Sequence, residues 1–135
     1  MKRKTLLKWI AVVILASFPT LVLADEFSEA ELALWQNEYD VVVQNGRKAF
    51  TDPPLGGNGV VCAQCHPNAA NVHPETYPKF QKQLGKVVVL AEMINWCIQN
   101  PLEGKTLALD DPKMIAMQAY VYKERRGVKL APGKH

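Results

Sequence analysis

Apolar side chains recur at helical spacing after residue 28, and this pattern predicts the first element of the chain. Ser28 followed by Glu31 is a capping-box pattern, which marks a helix start. The prolines of Asp52-Pro53-Pro54 remove backbone donors, so we expect the helix to run from about Glu29 to Thr51. The predicted buried stripe consists of Leu32, Trp35, Tyr39, Val42 or Val43, Gly46 and Phe50.

Two more helices follow from the same kind of pattern. The helical pattern resumes near Lys79 and ends at Asn100-Pro101, with an inward face made of Val87, Leu90, Ile94, Cys97 and Ile98. The last helix has Asp111 as its N-cap and Pro112 at its first position. It continues through Met114, Met117, Tyr120 and Val121, and Gly127 can end it in the left-handed conformation.

The segments between these helices favour loops. Residues 55–60 are rich in glycine, the stretch after His66 carries Pro67, Pro74 and Pro78, and almost no alternating strand pattern is present. The prediction is an all-α domain with three main helices. Three helices in about 110 residues bury little core by themselves, so a large apolar prosthetic group between them would help.

The N-terminus has the pattern of a secretory signal peptide. Four basic residues precede an apolar run at 9–23, and Val22-Leu23-Ala24 is a small-residue cleavage pattern. We therefore predict a signal peptide at 1–24, one domain at 25–135, a periplasmic location and no stable membrane span after cleavage. The alternative is a membrane anchor formed by an uncleaved N-terminus, although the run is short and contains Pro19.

Charge and cysteine count change this picture in two ways. Residues 25–135 keep 12 Lys and Arg against 13 Asp and Glu, a net charge of −1, so the basicity of the full chain gives no support for nucleic acid as a partner. Three cysteines in an exported protein leave one thiol outside any simple disulfide framework. At least one thiol must therefore have another use.

The stretch Cys62-Ala-Gln-Cys65-His66 supplies that use. In a helical turn the two sulfurs point the same way and can reach two vinyl groups on one porphyrin edge, and the adjacent histidine can reach the iron. This is the pattern of c-type haem attachment, with two thioether bonds and one axial histidine. We predict one covalently bound haem c, with His66 as the proximal ligand.

Two other kinds of site could use the same residues. A redox dithiol usually lies in a βαβ unit, which the pattern of this sequence lacks. A zinc site would need four ligands, for which Cys62, Cys65, His66 and His73 are available. Zinc gives no reason for the histidine to follow the second cysteine directly.

The ligand on the opposite face of the iron stays open on spacing alone. The candidates are Cys97, Met93, Met114, Met117 and His73. His73 follows His66 too closely to reach the far face, and helical methionines are more often core residues. Cys97 lies on the predicted inward face, where it is either a ligand or a small buried apolar residue.

At the level of these motifs the chain resembles a known group. The "GRKAF" helix, the "CAQCH" site and a last helix with Tyr120 resemble the class I cytochrome c fold, in which the first and last helices cross near a glycine and an aromatic residue. Residues 77–120 are similar to the haem domains of the Sox thiosulfate-oxidising cytochrome A subunit and of thiosulfate dehydrogenase. Their Ile-Asn-x-Cys element is matched by Ile94-Asn95-Trp96-Cys97, and the resemblance covers about residues 40–126.

This resemblance implies roles for particular residues. It makes Cys97 the distal haem ligand, with Met93, Met114 or Met117 as fallbacks, and a thiolate ligand implies a low reduction potential. Those enzymes carry an arginine one turn before the cysteine, where this chain has Met93, and a thioether cannot pair with thiosulfate. Lys82, Lys86 or Arg47 could substitute.

The resulting hypothesis is an exported monohaem cytochrome that carries electrons in sulfur-compound oxidation. Its expected partners are redox proteins, among them another cytochrome c. The alternative is a catalytic or partner-dependent subunit of thiosulfate oxidation.

Overall fold

A computed structural model describes residues 26–130, apart from the side chain of Pro54. The predicted signal peptide at 1–24 lies outside these residues. The elements in chain order are α1 (Glu29–Thr51), α2 (Cys62–Cys65), β1 (Lys79–Gln81), β2 (Lys86–Val88), α3 (Leu90–Gln99) and α4 (Pro112–Arg125). Short 3₁₀ turns lie at Pro53–Leu55, Pro67–Ala69 and Pro74–Thr76. The domain is mostly helical, and its two strands are only three residues each, which agrees with the predicted all-α class I cytochrome c architecture.

The predicted start and end of α1 are confirmed. The Ser28 hydroxyl accepts a hydrogen bond from the Glu31 amide at 3.3 Å, and the Glu31 carboxylate accepts one from the Ser28 amide at 2.9 Å. This reciprocal pair satisfies two backbone donors that a helix start otherwise leaves without partners. At the other end Asp52 takes an extended conformation and its amide donates to Lys48 O at 2.8 Å.

Helices α1 and α4 cross at a glycine and a tyrosine. A Cβ placed on Gly46 would collide with the carbonyl of Ala116 and would lie 2.9 Å from the Cβ of Tyr120. Only glycine therefore lets the two backbones approach so closely. The rings of Phe50 and Tyr120 lie 5.2 Å apart at this crossing, which confirms the crossing that the resemblance implied.

The first part of the predicted α1 stripe is not buried. Val43, Gly46 and Phe50 are buried, whereas Leu32 and Trp35 are 49% and 47% exposed. The helical period was correct, but α1 extends past the elements that cover its inner face. An apolar period fixes which side chains share a face, and it cannot show how far along the helix that face is covered.

The predicted helix from Lys79 is wrong over its first eleven residues. Residues 79–88 form an antiparallel hairpin in which Phe80 pairs with Val87, joined by a turn that contains Gly85 at φ 67°. Phe80 and Val87 are 60% and 62% exposed, so Val87 does not belong to a buried helix face. Gly85 favours the turn because it takes a positive φ without a steric penalty.

Helix α3 begins at Leu90 and ends where Asn100-Pro101 predicted. Valine 89 has no side-chain acceptor, so only half a capping box forms, with the Glu92 carboxylate accepting from the Val89 amide at 3.1 Å. Helix α4 starts as expected, with the Asp111 carboxylate accepting from the Lys113 amide at 2.8 Å, and Gly127 follows its end at φ 74°.

The core has two clusters of buried side chains, and the first includes the helix crossing. One contains Val43, Phe50, Ala69, Leu90, Tyr120 and Val121. The other contains Ala91, Ile98, Met114 and Met117. Together they join α3 and α4 to α1 and fix the side of α3 that carries Cys97. Across residues 26–130, none of the helices is long and apolar enough to cross a membrane.

Candidate functional site

The cysteine pair lies in a single helical turn, as its spacing predicted. In α2 the Gln64 side-chain oxygen accepts from the Val61 amide at 2.9 Å, and the His66 amide donates to the Cys62 carbonyl at 2.9 Å. Cys62 is half-buried and Cys65 is exposed. The turn therefore carries both cysteines, and His66 follows directly as its C-terminal cap.

The His66 ring is held by a backbone carbonyl. Its Nδ1 lies 2.9 Å from the carbonyl oxygen of Ala70. A carbonyl can only accept, so Nδ1 carries the proton in this contact, and the lone pair of the neutral ring is at Nε2. The chain reverses through Asn68 and Ala69, both at positive φ (52° and 55°), which brings Ala70 back to the ring. Sequence reasoning missed Ala70, because a main-chain acceptor leaves no residue-type signal.

Cys97 lies near the two cysteines of α2. Burial raises the pKa of the Cys97 thiol to about 11, and the neighbouring sulfurs of Cys62 and Cys65 raise it further by repulsion. Burial also raises the pKa of Cys62. Cys97 is half-buried on α3, as its predicted inward face implied, and the two cysteines of α2 are close enough to contribute to its raised pKa.

Tyr77 belongs to the same region. Burial raises the pKa of its hydroxyl, with a smaller contribution from Cys97. The Tyr77 oxygen accepts a hydrogen bond from the Gln81 side-chain amide at 2.6 Å. Tyr77 packs with Cys62, Val72 and Ile94 against the first core cluster, whereas Cys65 is exposed.

Asn95 ties α3 to the loop that follows it. Its side-chain amide donates to the Leu107 carbonyl at 2.8 Å, and its side-chain oxygen accepts from the Leu107 amide at 2.9 Å. A side-chain amide can make this two-point contact with a backbone because it has one donor and one acceptor side by side. The sequence motif Ile-Asn-x-Cys contained this residue, but its structural role was not predicted.

A second link joins the loop that enters α2 to the chain that leaves α3. The Gly57 amide donates to the Leu102 carbonyl at 2.8 Å, and the Asn58 side chain donates to the Pro101 carbonyl at 3.0 Å. A Cβ on Gly104 would collide with the Leu55 carbonyl. We call this set of contacts the loop junction. It fixes the start of the cysteine motif against the end of the Cys97 helix.

The other candidate ligands have different surroundings. Met114 and Met117 are fully buried in the second core cluster, so packing accounts for both, whereas Met93 is half-buried on α3. His73 is a loop histidine: its carbonyl accepts from the Thr76 hydroxyl at 2.7 Å, and its Nδ1 lies 3.5 Å from a Glu75 oxygen. Within residues 26–130, no three histidine, cysteine or carboxylate side chains are grouped as a metal site.

The cations considered in place of an arginine at Met93 lie on the surface. Lys86 pairs with Glu92, with the two charged atoms 2.7 Å apart. Lys82 is exposed in the hairpin turn, and Arg47 is exposed on α1.

The residues present fit a c-type haem. One helical turn presents two thiols for thioether bonds, the ring of His66 has its Nε2 lone pair available, and Ala70 fixes its tautomer and orientation. Second-sphere hydrogen bonds of this kind are usual for metal-binding histidines.

Comparison with known proteins identifies the family. Residues 45–130 match the family described as SoxA/TsdA, cytochrome c domain. Thiosulfate dehydrogenase of Allochromatium vinosum is 31% identical over 105 residues, covering 65% of this chain and 39% of that protein. The L-cysteine S-thiosulfotransferase subunit SoxA of Rhodovulum sulfidophilum is 29% identical over 110 residues, covering 79% of this chain and 38% of that protein.

A further thiosulfate dehydrogenase, from Stutzerimonas stutzeri, is 33% identical over 99 residues, covering 64% of this chain and 32% of that protein. The chain thus spans about a third to two fifths of the length of these curated relatives. The matched region extends from the second half of α1 beyond the end of α4, so it includes the cysteine turn, Cys97 and the helix crossing. The chain belongs to the SoxA/TsdA cytochrome c domain family.

Proposed function

We propose that this protein is an exported monohaem c-type cytochrome that carries electrons in sulfur-compound oxidation. Cys62 and Cys65 hold the haem through thioether bonds, His66 is the proximal ligand and Cys97 is the distal ligand. A cytochrome c domain implies a c-type haem. The observation that carries the proposal is the His66 ring, whose Nδ1 is engaged by Ala70 and whose Nε2 is free for iron, directly after the cysteine turn.

The protein's own part is to hold and orient the haem. When bound, the haem supplies reversible one-electron exchange at its iron. The α2 turn fixes the two sulfurs, and the Ala70 carbonyl keeps His66 in one tautomer. Cys62 is half-buried against the same apolar cluster as Tyr77, Val72 and Ile94, which limits the access of water to its sulfur.

Cys97 is proposed as the distal ligand because it is the third thiol of the same region. Its raised pKa keeps it protonated in the haem-free polypeptide, and thiolate ligation therefore releases a proton. A thiolate adds negative charge at the iron, which favours the ferric state and lowers the reduction potential.

The link to sulfur compounds and the cellular location rest on other support. The relatives named thiosulfate dehydrogenase and L-cysteine S-thiosulfotransferase subunit SoxA favour a role in thiosulfate metabolism. The signal-peptide pattern at 1–24 favours cleavage, a mature domain at 25–135 and a periplasmic location. Redox proteins, among them another cytochrome c, are the proposed partners.

Mass spectrometry of the protein exported by a host that attaches haem c tests the proposal. We expect the mass of residues 25–135 plus one haem, retained after extraction with acidic acetone. The variant C62A/C65A should lose the haem in that extraction. An exported polypeptide without porphyrin mass would overturn the proposed function.

A second candidate function is thiosulfate oxidation by this chain. Two of the relatives described above are named thiosulfate dehydrogenase. The substitution of Met93 for the arginine of those enzymes disfavours it, because no cation then lies one turn before Cys97, and Lys86 is engaged by Glu92. Electron transfer is therefore the primary proposal.

A further inference from the structure

Exposed apolar side chains are concentrated on two segments of the surface. The structure has thirteen exposed large apolar side chains between residues 26 and 130, and eight of them lie in residues 26–41 or 79–89. The first segment, here the acidic helix segment, carries Phe27, Leu32, Leu34, Trp35 and Val41. The second, here the basic hairpin, carries Phe80, Val87 and Val89. Such clusters on a small domain often mark interaction sites.

The two segments have opposite charge. Residues 26–41 contain Glu26, Glu29, Glu31, Glu38 and Asp40 and no lysine or arginine. Residues 79–89 contain Lys79, Lys82 and Lys86 and no acid. Of these eight charges, only Asp40 and Lys86 have ion-pair partners within the part of the chain that the structure describes. Glu31 is held in the Ser28 cap and Lys79 lies over the Tyr77 ring, which leaves Glu26, Glu29, Glu38 and Lys82 for another molecule.

In the acidic helix segment, charged and apolar side chains share one side of α1. At about 100° per residue, Glu31 and Glu38 project between Leu34 and Trp35. Leu32 and Trp35 continue the buried stripe of α1 beyond the last element that covers it. Phe27 folds onto Trp35 with the ring centroids 4.7 Å apart and leaves both rings about half exposed.

The basic hairpin has a matching arrangement. Phe80 and Val87 are a directly opposed cross-strand pair, so their side chains emerge from the same face. Val88 points to the other face and is fully buried. Lys82 opens the turn two residues after Phe80 and is exposed. An apolar pair with adjacent positive charge complements an apolar helix face with interleaved acids.

We infer that the acidic helix segment of one copy of this protein binds the basic hairpin of a second copy. Two acidic helix segments would repel each other, and so would two basic hairpins, so charge selects the pairing of unlike segments. A two-fold dimer makes this contact twice, because the helix segment of each copy binds the hairpin of the other copy. The second contact matters because a single contact between one helix segment and one hairpin buries little area compared with the roughly 800 Å² per partner of a stable interface.

Analytical ultracentrifugation of the holoprotein tests this pairing with charge-swapped variants. The wild-type mass should rise from monomer to dimer with protein concentration, and added salt should weaken the dimer because exposed charges are screened. E26K/E29K/E38K changes the net charge of residues 26–41 from −5 to +1 and leaves the Ser28–Glu31 cap intact. K79E/K82E/Q83E changes the net charge of residues 79–89 from +3 to −2. Each variant alone should stay monomeric where the wild type dimerises.

An equimolar mixture of the two variants is the decisive sample. The basic helix segment of the first variant then meets the acidic hairpin of the second, and the acidic helix segment of the second meets the basic hairpin of the first. The mixture should therefore form heterodimers that neither variant forms alone. The control K105E/K129E changes two exposed lysines outside both segments and should dimerise like the wild type.

Three outcomes would overturn the inference. These are a wild type that is monomeric at every concentration, charge-swapped variants that dimerise normally, or a mixture that remains monomeric. The inference does not depend on the proposed electron-transfer function, and the haem spectrum of each sample reports the folded holoprotein independently of its mass.

Discussion

Cys97 is the residue on which the proposed redox properties depend most. Its thiol is half-buried and belongs to the same region as Cys62 and Cys65, and its raised pKa has burial as the main cause. A group of this kind stays neutral unless a cation compensates the thiolate charge. Ferric iron would provide that compensation, which makes ligand identity and reduction potential two readouts of one interaction.

We expect C97A to change the low-spin electron paramagnetic resonance spectrum and to raise the reduction potential, because negative charge at the iron is lost. Low-temperature spectra with a redox titration measure both. The matched control is M93L, one turn earlier on α3, which should leave the spectrum unchanged. An unchanged spectrum for C97A would transfer the distal role to a methionine.

Asn95 is a positioning residue on the same helix. We expect N95A to destabilise the fold by about 1–3 kcal/mol, because the Leu107 amide and carbonyl both lose their partner. Denaturant unfolding measures the change. The control N100A removes a single exposed contact to the Trp96 carbonyl and should cost less than N95A. Equal effects would argue against a special role for the Asn95 contact.

At the scale of elements, the crossing of α1 and α4 has little tolerance. Alanine favours helix over glycine by about 0.5–1 kcal/mol, whereas overpacking costs roughly 1–3 kcal/mol. At Gly46 the collision with Ala116 should exceed the helix gain. We therefore expect G46A to lower the midpoint of guanidinium unfolding. Q44A, an exposed position on the same helix, should leave it unchanged or raise it, and a stabilising G46A would refute the close crossing.

The start of α3 should respond to acid. Hydrogen bonds from Lys86 and then from the Val89 amide hold the pKa of the Glu92 carboxyl below its ordinary value. The ionised Glu92 carboxylate therefore stabilises the fold at pH above the ordinary pKa of a glutamate. This stabilisation is lost as the pH falls through the lowered pKa of the folded state. The amide resonance of Val89 in the reduced protein should shift over that acidic window. E92Q should abolish the pH-dependent shift of the Val89 resonance, and the control E103Q should leave it unchanged. A shift whose midpoint lies at or above the ordinary pKa of a glutamate would contradict the hydrogen bonds to Glu92.

The helical elements were largely predictable and the hairpin was not. Local chemistry fixed both ends of α1 and the start of α4, since a cap and a proline act through neighbouring residues. The helix prediction for residues 79–88 was wrong because Val87 and Leu90 fit a helical period by chance. Gly85 was the main sequence signal for the turn. A hairpin of two three-residue strands offers too few alternations to outweigh that period.

At the scale of the whole molecule, the helical turn of the cysteine pair and the burial of Cys97 were predictable, and the contacts that support His66 were not. The Cys-x-x-Cys-His spacing predicted the turn of Cys62 and Cys65, the helical period of α3 predicted a partly buried Cys97, and only the resemblance assigned Cys97 to the haem site. The Ala70 contact depends on a chain reversal through two residues at positive φ, neither of them glycine. Backbone acceptors and such conformations carry no residue pattern, so only the fold could reveal them.

Electron transfer and catalysis predict different behaviour of the whole protein with thiosulfate. We expect no catalytic reduction of ferricyanide when thiosulfate is added, because this chain has Met93 where the resemblance implies an arginine, and a thioether cannot pair with the anion. Absorbance of ferricyanide measures the rate, with M93R as the comparison that restores the cation and should bind the anion better. Sustained turnover by the wild type would favour the enzyme instead.

The loop junction has a consequence for which changes this protein can accept. Gly57, Leu102 and Pro101 contribute main-chain atoms, and Gly104 contributes its lack of a side chain. The side chain at residue 101 can therefore change while the two loops stay joined, whereas Leu102 is buried and Gly104 has no room for a Cβ. A library randomised at residues 101–104 should keep haem absorbance in survivors with glycine at 104 and an apolar residue at 102, and should accept the widest choice at 101.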